Sequence, residues 1–275
     1  MAGRLTNKVA VITGSSSGIG RAIALAFASE GAKIVCSDIR EDFRSEYRTD
    51  ELSGTTVQEV KKVGVEAIYQ KCDTTQSSEV ETLINKAVEA FGRVDIMVNN
   101  AGIAIETTEH GPRPVWDFDE SAFEKTMQVN IKGVFLGTKF ATRQMKDQKP
   151  HPSGDRGWII NLASVYGLVG GTATCAYITS KHAVMGLTKS TASDCAPYRI
   201  HVNALCPGYV QTSFISGFLL SAEAEDMRKD VIAKHPFRGL GTPQDIARAA
   251  VFLASEDAGW VTGIGLPVDG GYSSI

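Results

Sequence analysis

The stretch Val9-Ala10-Val11-Ile12-Thr13-Gly14-Ser15-Ser16-Ser17-Gly18-Ile19-Gly20-Arg21-Ala22-Ile23-Ala24 reads as strand, turn and helix in succession. It opens on a short apolar run without charge, which suits a strand buried on both faces. It crosses a turn of glycines and serines. It leaves as Ile19, Ile23 and Phe27 at helical spacing, with alanines between them. That order is the opening of a dinucleotide-binding unit. Glycines remove side chains where a pyrophosphate must come close, and a helix N-terminus offers it N–H groups and partial positive charge. The spacing Gly14-x-x-x-Gly18-x-Gly20 differs from the usual G-x-G-x-x-G, and the same glycines would serve a plain tight turn. The buried strand before them and the Ala-rich helix after them favour the nucleotide reading.

At 275 residues the chain is long for an average domain, yet one α/β domain over 1–275 accommodates it. An apolar share of 43% and a charged share of 21% are those of a globular protein with a sizeable core. A formal charge of −3 argues against nucleic acid as a partner. No apolar run reaches the ~18 residues of a membrane span, so no membrane partner is expected. The first strand starts too early to leave room for a signal peptide. Cys36, Cys72, Cys175, Cys195 and Cys206 are scattered, odd in number and without C-x-x-C. Reduced core thiols in a cytoplasmic protein are the expectation.

A second strand, Ala32 to Asp38, ends in an acid about 20 residues past the glycines. There a carboxylate accepts from the adenosine ribose 2′-OH and repels a 2′-phosphate. The turn offers Ser16 and Ser17 but no Lys or Arg for that phosphate, and Arg40 is offset by Glu41 and Asp42. NAD is therefore expected over NADP, with Ile39 next to the ribose. An Asp bonding its own strand-end backbone would look the same. Residues 39–53, with Phe43 and Tyr47, read as a surface excursion. Cys72-Asp73-Thr74 closes the third strand, where Asp73 either meets the adenine or caps a turn. Ser77 or Ser78 is expected to cap the helix that follows.

Val94–Val98 is a fourth strand, ended by Asn99-Asn100-Ala101-Gly102, whose small residues let backbone lie against a ligand. In the loop after it, Trp116 either lines a substrate pocket or packs on its own domain. A long helix from about Ser121 to Gln148 is expected to bury Phe123, Met127, Ile131, Phe135 and Phe140. His151 falls in a turn and is expected in solvent. Trp158–Ser164 is a fifth strand, Thr174–Ala196 a second long helix and Ile200–Cys206 a sixth strand. The segment from Tyr209 to Phe237 follows, then a helix Pro243–Ala254 and a last strand at Gly265–Asp269. Strands and helices alternate without linker or repeat, which predicts one doubly wound sheet.

Tyr177-x-x-x-Lys181 lies on the second long helix, so both side chains leave one face about a turn apart. Ser164 ends a strand, where ligands bind in such sheets. Alone, this pair reads as core tyrosine and surface lysine. With the glycine turn, Asp38 and Asn99-Asn100-Ala101-Gly102, the chain resembles the short-chain dehydrogenase/reductase family over its whole length. The resemblance rests on Thr13-Gly14-x-x-x-Gly18-Ile19-Gly20, Asp73, Asn99-Asn100-Ala101-Gly102, Asn130, Ser164, Tyr177-x-x-x-Lys181 and Pro207-Gly208. It implies that the sheet has seven parallel strands with helices on both faces, a bound NAD(P), and a tetramer, or a dimer, built on the two long helices. It also implies cofactor contacts from Asn100, Ala101, Gly102, Pro207, Gly208, Val210 and Thr212, the last two fixing the nicotinamide carboxamide. Residues 39–53 are longer than the usual connection of the family.

The chemistry expected is hydride transfer between nicotinamide and a secondary alcohol or ketone, with Tyr177 exchanging the proton. A free phenol has a pKa of ~10, so working near neutral pH takes ~3 units, or ~4 kcal/mol of phenolate stabilisation. Lys181 and the positive oxidised nicotinamide are expected to supply it. Lys181 would also hold the nicotinamide ribose, as the resemblance implies, and Ser164 would polarise the substrate oxygen. Asn130 matches the family asparagine that kinks the long helix and holds a water joining Lys181 to solvent. No metal ligand set is apparent. Ala104, Ile105, Tyr166, Leu168, Tyr209, Phe214 and Phe218 suggest an uncharged, moderately hydrophobic substrate. Other readings are an NADP-dependent 3-oxoacyl thioester reductase, a non-catalytic NAD(H)-binding sensor, and a scaffold, for which no residue speaks.

Overall fold

The computed structural model of the protein describes residues 3–42, 54–108, 111–212 and 225–274. Phe43, Tyr47, Phe214 and Phe218 lie outside the described residues. Seven parallel strands form one sheet: β1 Val9–Thr13, β2 Lys33–Asp38, β3 Ala67–Lys71, β4 Ile96–Asn99, β5 Gly157–Leu162, β6 Ile200–Pro207 and β7 Gly265–Val268. Their order across the sheet is β3-β2-β1-β4-β5-β6-β7. Every residue of β1, β4, β5 and β6 is buried, as continuous apolar runs covered on both faces should be. The edge strands β3 and β7 are only partly covered.

The strand order reverses between β1 and β4, which pair with Ala10 opposite Ile96 and Ile12 opposite Val98. Beyond their carboxyl ends the connecting chains turn to opposite faces and leave a crevice. The α-helices among the described residues are α1 Gly18–Ser29, α2 Thr56–Lys62, α3 Ser77–Phe91, α4 Glu120–Met127, α5 Gly133–Asp147, α6 Cys175–Cys195, α7 Glu225–Ala233 and α8 Pro243–Ala254. On one face of the sheet Ile23 and Phe27 of α1 pack with Ile246, Ala250 and Val251 of α8 over Ile12, Ile34 and Ile160. On the other face Leu83 and Ile84 of α3 and Phe140 and Met145 of α5 pack over Val11, Met97 and Ile159. Apolar burial of this kind stabilises by about 25 cal/mol per Å² removed from water.

Three local expectations need correction. Helix α3 begins at Ser77, with Gln76 rather than a serine at its cap. The first long helix is interrupted by a π-helical turn at Gln128–Lys132, between α4 and α5. Its buried side is not the expected stripe. Phe123, Met127 and Ile131 are half-buried and Phe135 is exposed, while Ala122, Thr126, Asn130, Gly133 and Gly137 are buried and Phe140 alone follows expectation. Small residues face inward because neighbouring chain lies close: a Cβ at Gly137 would overlap the Asn99 amide and Met97. The expected stripe is left on the outer side.

Candidate active site

The glycine turn is built by contact with the end of β4. The Asn100 side-chain amide donates to the carbonyl oxygens of Thr13 at 2.9 Å and Gly14 at 3.0 Å. The Thr13 hydroxyl accepts from the backbone amides of Asn100 and Ala101, both at 3.1 Å. Gly14 and Gly18 sit at φ +65° and +53°, where other residues are strained. A Cβ at Gly20 would overlap the Gly14 carbonyl, and one at Gly14 would lie 2.8 Å from the Asn100 amide nitrogen. Ser17 occupies the N-cap position of α1 without a side-chain cap bond, so the first turn of the helix keeps its amides for another acceptor. A side-chain-free turn leading into such a helix end fits a pyrophosphate. Ile19 is the first apolar residue of that turn and packs against the core beneath.

Asp38 stands at the end of β2 beside this turn. One carboxylate oxygen accepts from the Ser16 amide at 3.2 Å and the other from the Ile39 amide at 2.8 Å. The acid therefore braces the turn as well as facing the crevice mouth, where Ile39 is exposed. The Ser16 hydroxyl donates to the Arg40 carbonyl at 2.7 Å. Asp73 accepts from the amide and hydroxyl of Thr75 at 2.9 and 2.8 Å, the turn-capping alternative. Cys72 is buried, and the Thr74 hydroxyl lies by Gly133 at the start of α5. All five cysteines are unpaired, and burial pushes the Cys36 and Cys72 thiols up to about 12.

At the carboxyl end of β5, Ser164 opens a short 3-10 turn, Val165–Gly167, and its hydroxyl accepts from the Tyr166 amide at 3.2 Å. Gly167 lets this turn press on α6, where a Cβ would sit 2.8 Å from the Lys181 carbonyl oxygen. Lys181 is buried, its Nζ donating to the Leu162 carbonyl at 2.8 Å and lying 5.4 Å from the centre of the Tyr177 ring. Burial lowers the Lys181 ammonium to about 8. Ser164, Tyr177 and Lys181 thus meet as the sequence pattern anticipates. Burial pushes the Tyr177 phenol up to about 12, the charges of Glu106 and Tyr166 push the same way, and a side-chain hydrogen bond to Ser164 opposes.

Asn130 lies within the π-helical turn, a distortion frequent at functional sites. It is fully buried. Its amide donates to the Ile103 carbonyl at 2.8 Å and the Ser180 hydroxyl at 3.0 Å, and its oxygen accepts from the Ile103 amide at 2.8 Å. The asparagine therefore locks the chain just past Gly102 to the helix carrying Tyr177. A Cβ at Gly102 would lie 3.3 Å from the Asn130 oxygen and 3.7 Å from Lys181 Nζ.

The opposite wall comes from the end of β6. Beyond Pro207, Gly208 passes so close to His235 and Asp269 that a Cβ would lie 2.8 Å from the imidazole Nε2. Val210 is buried and bridges to Gly241. Thr212 comes over Gly18, its methyl 3.5 Å from where a Cβ would be. Tyr166 and Tyr209 share a hydroxyl–hydroxyl bond of 3.1 Å, and the Tyr272 hydroxyl joins Tyr166 at 3.4 Å. Tyr166 meets the Tyr177 ring edge-on at 6.5 Å. Tyr272, near the C-terminus, carries no motif in the sequence and is placed here by β7 alone. Glu106 was also missed; its one signal is an acid in the otherwise apolar run Ile103-Ala104-Ile105.

Two loop residues depart from expectation. Trp116 is 80% exposed, so it neither packs on the domain nor lines a closed pocket. His151 is half-buried instead of exposed: its Nε2 lies 2.8 Å from Asp95 Oδ1, and its ring tilts on Trp158 at 5.4 Å. The buried Asp95 carboxylate needs partners there and draws the turn inward.

Residues 14–273 match a family model described as enoyl-(acyl carrier protein) reductase. The chain is 37% identical over 279 residues to (+)-borneol dehydrogenase 2 of Salvia officinalis, covering 98% of this chain and 91% of that one. It is 37% identical over 270 residues to 3beta-hydroxysteroid dehydrogenase 2 of Eggerthella lenta, covering 98% and 96%. The crystal structure of a short-chain type dehydrogenase/reductase from Mycobacterium marinum superposes with a TM-score of 0.84 at 32% identity, covering 98% and 97%. The chain belongs to the short-chain dehydrogenase/reductase family. That membership makes it an oxidoreductase with a nicotinamide cofactor, NAD or NADP. No helix among the described residues is long and apolar enough to cross a membrane.

Proposed function

We propose that residues 1–275 act as one domain that interconverts a secondary alcohol and a ketone with NAD. The observation that carries this is the meeting of Ser164, Tyr177 and Lys181 at the carboxyl end of β5, beside the glycine turn. The cofactor, when bound, accepts or supplies hydride at its nicotinamide ring. Gly14, Ser16, Ser17, Gly18, Ile19 and Gly20 hold its pyrophosphate, Asp38 and Ile39 its adenosine ribose, and Cys72, Asp73 and Thr74 its adenine. Asn100, Ala101, Gly102, Pro207, Gly208, Val210 and Thr212 shape the nicotinamide end. Ser164 donates to the substrate oxygen and Tyr177 exchanges its proton. Lys181 holds the nicotinamide ribose and favours the phenolate, with Asn130 fixing the chain beside it.

Asp38 supports NAD over NADP, because its carboxylate would face a 2′-phosphate at the end of β2. The relatives named for borneol and a hydroxysteroid support an uncharged, moderately hydrophobic or polycyclic substrate. The outer stripe with exposed Phe135 supports assembly into a tetramer or dimer through the long helices. Unpaired thiols support a reducing, cytoplasmic setting. A panel of alcohols and ketones followed by nicotinamide absorbance tests the reading, with Tyr177→Phe as control. Turnover that collapses in the variant while cofactor binding persists is expected. Turnover surviving in the variant, or wild-type cofactor binding without any turnover, as in a sensor, would sink it. The family model's description, enoyl-(acyl carrier protein) reductase, supports an acyl thioester as substrate class and so a second reading, an NADP-dependent 3-oxoacyl thioester reductase, although the reaction it describes is at a C=C bond. Tighter binding of NADPH than NADH together with thioester reduction selects that one.

A further inference from the structure

Glu106 sits in the 3-10 turn Ile105–Thr107, between β4 and α4, yet is only 2% exposed. One carboxylate oxygen accepts from the backbone amide of Tyr177 at 2.9 Å. The other is buried with no hydrogen-bond partner among the described residues. A buried oxygen left so is costly and calls for a reason beyond packing. Helix α6 has no acid in its first turn, and its N-cap residue, Thr174, makes no side-chain cap bond. A carboxylate from a different segment therefore serves the turn that carries Tyr177. That segment is fixed at both ends. The Asn130 side chain grips both the amide and the carbonyl of Ile103, and the Arg113 amide donates to the Ala173 carbonyl at 3.1 Å.

We propose that Glu106 is a positioning residue for Tyr177: its buried carboxylate, brought in from a different segment, anchors the Tyr177 amide and so fixes the turn that carries the phenol. The proposal rests on the reading of Tyr177 as the proton-exchanging group. Among the described residues, groups that face Tyr177 include Lys181 on its own helix, Ser164 and Tyr166 after β5, Tyr209 after β6, and Glu106 after β4. The Ser164 hydrogen bond favours the phenolate. Glu106 is a carboxylate among these described groups, and it opposes. It thereby raises the pH at which the site changes from proton donor to proton acceptor.

Glu106→Gln keeps an acceptor for the Tyr177 amide and removes the charge. Glu106→Met removes both, and covers the case in which a buried amide is not tolerated. The first readout is the phenol titration in cofactor-free protein, followed by NMR of ring-labelled tyrosine with the Tyr177 signal assigned through Tyr177→Phe. Both variants should titrate lower by roughly half a unit or more. The ascending limb of alcohol oxidation against pH should move by the same amount. Amide exchange at Tyr177 should stay slow in Glu106→Gln and quicken at least about tenfold in Glu106→Met. A folded Glu106→Met whose Tyr177 amide exchanges as slowly as in wild type, or a folded variant whose phenol titrates as in wild type, overturns the proposal. So does full turnover by Tyr177→Phe, but that failure is seen in a different protein and belongs to the underlying reading.

Discussion

Lys181 Nζ donates to the Leu162 carbonyl oxygen, tying the middle of α6 to the end of β5 two residues before Ser164. The ammonium reaches the site at the cost of burial, which lowers it to about 8. Lys181→Met should therefore cut kcat by about 10²- to 10⁴-fold, the range of a lost proton-transfer arrangement. Stability should hold or rise, because an apolar side chain removes the desolvation penalty. Steady-state kinetics beside thermal unfolding checks both. A large fall in Tm would recast Lys181 as structural.

Asp38 braces the glycine turn through Ser16 and Ile39 while pointing its charge at the crevice mouth. Asp38→Asn keeps the shape but loses the charge and one of the two acceptors. If Asp38 sets the proposed preference for NADH, the ratio of NADH to NADPH affinity should fall by about tenfold, equivalent to about 1.4 kcal/mol. Fluorescence titration of both reduced cofactors measures the ratio; an unchanged ratio would put discrimination elsewhere.

Asn100 holds the ends of β1 and β4 together by donating to two carbonyl oxygens. Asn100→Asp presents oxygens where donors are required and leaves both carbonyls facing a charge. A loss of about 2–3 kcal/mol is expected, with weaker cofactor binding because the glycine turn loosens. Urea midpoints with and without NADH report the two effects. A stable variant with normal affinity would show that the turn holds itself.

Lys8 is buried under the sheet, its Nζ donating to the Ala254 carbonyl at 2.9 Å and lying 3.3 Å from the Trp158 ring centre. Burial lowers it to about 8. An unfolded lysine titrates near ~10.4, so between about pH 8 and 10.4 the unfolded chain holds a proton the folded one has released. Stability contributed by this group rises with pH across that window and is absent below it. The wild-type minus Lys8→Met difference in unfolding free energy should climb there by up to about 1.4 kcal/mol per pH unit. A flat difference would mean that the lysine keeps its ordinary pKa when folded.

The chain by itself determined the order of strands and helices, the turn at the end of β1, and the pairing of Tyr177 with Lys181. These are local properties: uncharged runs such as Val9–Ile12, glycines at fixed offsets, and two residues one helical turn apart. Tertiary structure alone decided which side of the long helix is buried, because close approach of the Asn99 region selects Gly137 and its small neighbours over the larger Phe135. It also brought Glu106 to Tyr177, drew His151 to Asp95 and set Tyr272 against Tyr166. It set the surroundings of the Tyr177 phenol as well, since burial and the charge of Glu106 both come to it through folding. Such pairings join residues far apart along the chain, and no periodicity or spacing records them.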